Sequence, residues 1–209
     1  YYLGNTFNDW GKDTEAIVYY TKYINLIEEF KMSDRWYFVD EFYDSLLKIA
    51  KLQSIVCILP SGSNRNADGS ITGIALSNNC ITVSGIDTTS STIRSYEYSS
   101  CGAIKKDTKP NFCAACVDVV SLNSNTAYIS YKNNSRIHAP KLDTSYKSFT
   151  GTSISAAYVA GLCALLFERN PNFTFDDILS LLKVAAVPLD LPKNQQGEGK
   201  IDITKVLKQ

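Results

Sequence analysis

The sequence predicts an α/β domain with a mainly parallel sheet, on three observations. Helical periodicity over Thr14–Phe30 gives way to short, continuous apolar runs at Ser54–Leu59 and Asn79–Ile86, each bounded by turn-forming residues. Runs of this kind mark strands buried on both faces, as in parallel sheets covered by helices. Third, Ser153–Phe167 is a run of small and apolar residues with no polar face, the pattern of a helix buried at the centre of a domain.

Taken in order, Tyr1–Gly4 reads as the end of a strand and Asn5–Asp13 as polar loop. Ile17, Tyr20, Ile24 and Ile27 recur three or four apart and predict an amphipathic helix; a second helix from about Ser33, its N-cap, carries Phe38, Phe42, Leu46 and Ile49 on one stripe. Ser54–Leu59 is then a buried parallel strand ended by Pro60-Ser61-Gly62-Ser63-Asn64, Asn79–Ile86 a second strand, and Ile93–Tyr98 a short third. Ala103–Phe149 is polar and rich in Asn, Ser and Lys, and is predicted to be loop and hairpin with one short strand at Asp118-Val119-Val120. Beyond the central helix, Thr174 with Asp177 three residues on resembles a capping box opening a helix over Phe175–Ala186, stopped by Pro188. Gly197–Ile203 is a turn, and Asp202–Leu207 a last short helix.

The 209 residues, 44% of them hydrophobic, suffice for one domain with a real core. Lys and Arg (21) balance Asp and Glu (21), which argues against a nucleic-acid or membrane-surface protein, and no apolar run is long enough to cross a bilayer. The chain opens Tyr1-Tyr2-Leu3-Gly4 with neither initiator Met nor signal peptide, and is expected to be a processed or excised piece of a longer product. Six cysteines permit disulfides in a secreted protein: Cys101, Cys113 and Cys116 fall where a bridge could close, whereas Cys57 and Cys163 sit in apolar segments as buried thiols. Cys113-Ala-Ala-Cys116 has metal-ligand spacing without a second ligand pair, so no metal site is predicted, and no cofactor. Asn133-Asn134-Ser135 and Asn172-Phe173-Thr174 are glycosylation sequons, compatible with secretion to the outside or the cell surface.

Gly151-Thr152-Ser153 stands at the start of the central helix. Gly151 permits a sharp backbone turn, and Ser153 falls where unpaired amides and the positive end of the helix dipole converge, which is where a developing oxyanion would be held. Alone, the triplet reads better as an ordinary Ser/Thr cap. Gly151-Thr152-Ser153-Ile154-Ser155-Ala156-Ala157-Tyr158-Val159-Ala160-Gly161, however, resembles the nucleophile motif of the subtilisin-like serine proteases, Gly-Thr-Ser-x-Ala-x-Pro-x-Val-Ala-Gly. It departs at Ser155 (usually Ala), Ala157 (Pro) and Tyr158 (frequently His), none of them the catalytic position. Further blocks follow in the family's order: Ser54–Asn64 resembles its strand before Ala-Gly-Asn, Asn79–Asp87 its Val-Gly-Ala-Val-Asp strand, Ser95–Gly102 its Phe-Ser-Ser-x-Gly, Asn170–Leu182 its Pro-Asn helix and Gly197–Leu207 its Gly-x-Gly-x-Ile-Asp ending.

The resemblance implies a three-layer subtilisin-like domain with its N-terminal part missing, spanning residues 1–209 as a single segment with an insertion over about 5–35 and a loop-rich stretch over 103–149. It implies Ser153 as the nucleophile, an oxyanion hole from Ser63 or Asn64, and a substrate cleft lined by Leu3, Gly4, Ser61 and Gly62, with a peptide or protein as substrate or partner. Where the family places an oxyanion Asn after Gly62, this chain has Ser63. The resemblance also implies a triad in the order Asp, His, Ser, the first two on Asp-(Ser/Thr)-Gly and His-Gly-(Thr/Ser) motifs. Neither motif occurs in these 209 residues: the single histidine, His138, follows the wrong blocks and precedes Ala139, and Asp143 lies beyond the sheet. Two expectations follow. One is the C-terminal part of a serine endopeptidase domain, inactive as this chain and completed by an upstream segment. The other is a pseudo-protease that keeps the fold for binding. The richness in Tyr, Asn, Lys, Ile and Ser suggests an AT-rich coding genome, as in apicomplexan parasites.

Overall fold

A computed structural model describes residues 12–29, 36–102, 109–123, 131–132, 135–136 and 145–206. Two helices, α1 (Asp13–Glu29) and α2 (Trp36–Leu52), come first and pack on each other; α1 buries Tyr20 and Ile24 of the expected stripe, with Ile17 half-buried, and adds Ala16, while the Ile27 side chain lies outside what the structure describes. Ser33, the expected cap, lies outside the described residues, as do Tyr1–Gly4.

The main sheet is built from β1 (Ile58–Pro60), β2 (Ile81–Asp87), β3 (Arg94–Ser95), β4 (Phe112–Ala115), β9 (Ala186–Val187) and β10 (Lys200–Ile201). Its order is β1-β2-β4-β10-β9, with β3 on β2. The β1, β2, β4 and β10 pairs are parallel, in registers such as Ile58 with Ile81 and Ser84 with Cys113; β9 and β3 pair antiparallel. A separate hairpin joins β5 (Val119–Leu122) to β8 (Tyr146–Phe149), and β6 (Tyr131–Lys132) pairs with β7 (Ser135–Arg136). The α/β class with a mainly parallel sheet is therefore the observed one.

The long helix α3 (Thr152–Arg169) lies across β1, β2 and β4. Its Val159, Leu162, Cys163 and Leu166 enter one core with Ile81 and Val83 of β2, Phe112 and Ala114 of β4, and Phe175, Ile178 and Leu182 of α4 (Phe175–Ala185). Helix α4 opens on the expected capping box: Thr174 accepts from the Asp177 amide and the Asp177 carboxylate accepts from the Thr174 amide. Two short helices, α5 (Lys193–Gln196) and α6 (Ile203–Val206), flank β10.

Five expectations need correction. The strand expected over Ser54–Leu59 is only β1, because the amides of Ser54 and Ile55 close the end of α2 on Lys51 and Ala50, and Ser54 takes φ +58. The stretch Ala103–Phe149, expected to be loop and hairpin, contains β4, whose Phe112, Cys113 and Ala114 are buried in the middle of the sheet. The turn expected over Gly197–Ile203 contains β10, a strand of two residues whose place is fixed by β4 and β9 on either side. The disulfides permitted by the cysteine count are absent, all six cysteines being thiols. Cys113 of β4 pairs in register with Ser84, whereas the sulfur of Cys116, one residue past β4, lies beside Gly85, so the two thiols sit on opposite faces of the sheet and cannot bridge.

The fifth correction concerns α3, which is buried on one side only. Tyr158 is 45% and Leu165 37% exposed, and Ala157, Ala160, Gly161 and Ala164 share that exposure. A Cβ added at Gly161 would meet nothing within 4 Å. The described sheet thus covers one stripe of a helix whose composition is apolar all round.

Candidate active site

The chain leaves β1 at Pro60 and stays tied to β2 for one more residue, the Ser61 amide donating to Val83 O at 2.9 Å. Gly62 then turns with φ +101, a conformation that strains any side chain. Its carbonyl is held twice, by the Ser100 amide at 3.0 Å and by the Thr152 hydroxyl at 3.3 Å. Buried serines fix the surrounding backbone. Ser61 and Ser99 share a hydrogen bond of 3.2 Å, Ser99 Oγ accepts from the Gly85 amide at 3.0 Å, and Ser100 Oγ accepts from the Asn64 amide at 2.9 Å. Two donors beyond Gly62, Ser63 and Asn64, are exposed. The Asn64 side chain donates one of its two amide protons to Ser70 O at 3.1 Å, while the Ser63 hydroxyl has no partner among the described residues.

Against this loop stands the N-terminus of α3. Gly151, at φ +145, occupies the N-cap position, with its amide on Cys116 O at 2.9 Å and no side-chain cap on the helix. That conformation is open to glycine and excludes the Ser, Thr or Asp that would ordinarily satisfy the first-turn amides. Thr152 is buried and points to Gly62; Ser153, the second helical residue, is exposed. The reading of the triplet as a Ser/Thr cap therefore fails: glycine occupies the cap, and Thr152 spends its hydroxyl across the cleft. Ser155, where the family usually has Ala, is fully buried and donates to Ala114 O at 3.1 Å, so its hydroxyl fastens the helix to β4. Burial pushes the neighbouring Cys116 thiol up to about 12, despite a hydrogen bond with Ser155.

The Thr152–Gly62 contact thus joins the loop of Ser61, Gly62, Ser63 and Asn64 to the start of α3, where Ser153 follows. Leu3, Gly4, His138 and Asp143 lie outside the described residues. Asp118, the acid near this end of α3, accepts from Ser148 and Thr150 and shapes the turn before Gly151. Sequence reasoning assigned no role to Thr152, Ser99 and Ser100, although the Gly-Thr-Ser and Ser95–Gly102 blocks that resemble the family's motifs contain them. It also missed Lys109, buried with its ammonium on Cys80 O at 2.8 Å and Asn111 Oδ1 at 2.9 Å, which pins the entry to β4. A cavity of about 520 Å³ between Tyr158, Ala114, Ala115, Leu189 and Lys200 includes none of the residues around Gly62.

An exposed serine thus follows an uncapped helix N-terminus whose Thr152 is tied to a glycine turn at the end of a parallel strand. Residues 35–200 match the profile of the Peptidase S8 subtilase family, and the chain belongs to that family. It is similar to the serine protease AprX of Bacillus subtilis, 30% identical over 135 residues that make up 62% of this chain and 29% of AprX. Subtilisin-like protease 1 of Plasmodium berghei is 35% identical over 65 residues, 31% of this chain and 11% of that protein. Kexin of Saccharomyces cerevisiae is 34% identical over 98 residues, 46% and 11% of the two chains. The chain spans between 11% and 29% of the length of these relatives. Among solved structures, fervidolysin of Fervidobacterium pennivorans, described as a keratinolytic enzyme related to subtilisin, superposes with a TM-score of 0.58 at 21% identity, over 84% of this chain and 25% of that one. Sphericase superposes at 0.55 and 20% identity, over 70% and 44%. These two likenesses concern the fold, which is subtilisin-like.

Proposed function

We propose that the chain is the C-terminal part of a subtilisin-like serine endopeptidase domain, inactive alone and completed by an upstream segment carrying the triad Asp and His. The observation that carries this is the exposed Ser153 at the uncapped start of α3, locked beside Gly62 by the Thr152 hydroxyl. In the completed site, His takes the proton from Ser153 Oγ as it attacks the peptide carbonyl, and Asp orients the imidazole. The oxyanion that forms is met by the Ser153 amide and by Ser63 or Asn64, while Leu3-Gly4 and Ser61-Gly62 flank the peptide. The uncovered apolar face of α3 supports the same reading, since it offers the missing segment a surface to bury. Residues 1–209 are then one segment of a secreted or cell-surface protease acting on peptide or protein substrates, with no cofactor in the scheme.

One observation favours a second reading, a pseudo-protease that binds without cutting. The position directly after Gly62 holds Ser63, whose hydroxyl reaches less far than an Asn carboxamide, and one of the two Asn64 amide protons is engaged on Ser70; loss of such a donor costs about two to three orders of magnitude in rate. Absence of the base costs about a millionfold and outweighs it. Labelling with a fluorophosphonate decides between the readings. The isolated chain stays unlabelled, the product extended upstream labels on Ser153, and its Ser153→Ala variant does not. A folded, extended product that resists labelling leaves the pseudo-protease.

A further inference from the structure

The sequon Asn172-Phe173-Thr174 falls in the turn between α3 and α4, where the structure leaves its asparagine accessible. Asn172 is exposed, and its carboxamide makes no hydrogen bond among the described residues; only its backbone amide is engaged, on Asn170 Oδ1 at 3.1 Å. Phe173, next in line, is partly buried against the core, which anchors the turn and sends the Asn172 side chain outward. Helix α3 runs 18 residues from the Ser153 end to this one, about 27 Å at the helical rise, so a bulky group here leaves the candidate active site clear.

We propose that Asn172 is an N-glycosylation site, modified on the emerging chain before α4 closes its cap. The reasoning concerns Thr174. Sequon recognition requires the hydroxyl two residues after the asparagine. In the folded chain that hydroxyl donates to Asp177 Oδ2 at 2.7 Å and accepts from the Asp177 amide at 3.2 Å. The hydroxyl that defines the sequon is also the N-cap of α4, and it serves one purpose at a time. Before folding it is free for a transferase; afterwards it is locked in the capping box. In the transfer, Asn172 Nδ2 attacks the anomeric carbon of a lipid-pyrophosphate-linked oligosaccharide. The N–C bond forms as the C–O bond to pyrophosphate breaks, the lipid pyrophosphate leaves, and the amide proton passes to a base of the transferase. The proposal rests on a secretory route and is independent of any role for Ser153.

The test supplies that route with a host leader in a eukaryotic secretory host, in an Asn133→Gln background that leaves one sequon. The expected result is a secreted, folded chain whose mobility shift disappears on glycosidase treatment with conversion of Asn172 to Asp. Asn172→Gln abolishes the shift, and Thr174→Ser, which keeps a hydroxyl, retains it. In a second arm, isolated transferase and lipid-linked oligosaccharide modify a synthetic peptide spanning residues 168–178 but not the purified folded chain. An unmodified Asn172 in the secreted, folded chain overturns the site. Equal modification of folded chain and peptide overturns the claim that the cap excludes the transferase.

Discussion

The Thr152 hydroxyl donates to the Gly62 carbonyl at 3.3 Å across the gap between the end of β1 and the start of α3, joining residues 90 apart in sequence. Ser153 follows one and Ser63 the other, so this contact sets the spacing between the candidate nucleophile and the candidate oxyanion donor. Thr152→Val keeps the shape, including the methyl packed near Gly85, and removes the donor. Gly62 keeps its bond from Ser100. The expected loss is about 1 kcal/mol, seen as a melting temperature lower by roughly 2–4 °C. A variant as stable as the parent would show that the loop needs no tie to the helix.

The N-terminus of α3 is seated on Gly85, and the fit there leaves no room. A Cβ at Gly85 would lie 2.5 Å from the Cys116 sulfur and 3.3 Å from Thr152 Cγ2. Gly85→Ala should therefore cost about 1–3 kcal/mol by overpacking, read as a lowered urea midpoint. Adding Cys116→Ala removes the nearer obstacle, and the double variant should recover part of the loss. If the two losses simply add, the strain is not between these residues and the packing argument is wrong.

The contrast between what the sequence revealed and what it hid has a local cause in each instance. The capping box was legible because Thr174 and Asp177 settle their hydrogen bonds within one turn, with no distant partner involved. β2 was legible because it is buried along most of its length. β10 was not, since Lys200 and Ile201 form a strand only because Cys113 and Val187 lie on either side. The nucleophile position was visible through its motif, but Gly62 is held by Ser100 and Ser61 by Ser99, on a segment whose return to the β1 loop no periodicity encodes.

Three aspartates at turns and caps carry an acid sensitivity whose sign follows from their hydrogen bonds. Asp177 is held below the ordinary aspartate value of 3.8 by the Thr174 amide and hydroxyl, Asp87 by the Thr89 hydroxyl and amide, and Asp202 by the Thr204 hydroxyl and amide. A carboxyl lowered in the folded state binds its proton more readily in the unfolded chain. Its contribution is complete above 3.8 and is lost as pH falls below that value through the lowered one. Thermal melts taken at descending pH should hold level to about pH 5 and fall beneath it. Asp177→Asn, which can still accept at the cap, should flatten that fall; an unchanged acid slope would remove Asp177 from the account.

The buried thiols carry the opposite dependence at the alkaline end. Burial pushes Cys113, Cys116 and Cys163 up to about 12 from an ordinary 9.0, and for Cys163 desolvation is the sole cause. An acid raised in the folded state stays protonated where the unfolded chain ionises. Its contribution is complete below pH 9 and is lost as pH rises from 9 toward 12. Lys109 works the other way: burial lowers its ammonium, so its share of the cost eases as pH climbs past the lowered value. Three strongly shifted thiols against one amine leave a net decline in the urea midpoint above pH 9. Cys163→Ala lowers stability at every pH by leaving a small cavity in the core, so the comparison lies in the slopes, and the variant's alkaline decline should be shallower. Iodoacetamide at pH 8 gives the independent check: Cys163 should alkylate only once urea unfolds the chain. Labelling of the native thiol at the unfolded rate, or parallel alkaline profiles for the two proteins, would place Cys163 outside the sealed core that α3 forms with β2 and β4.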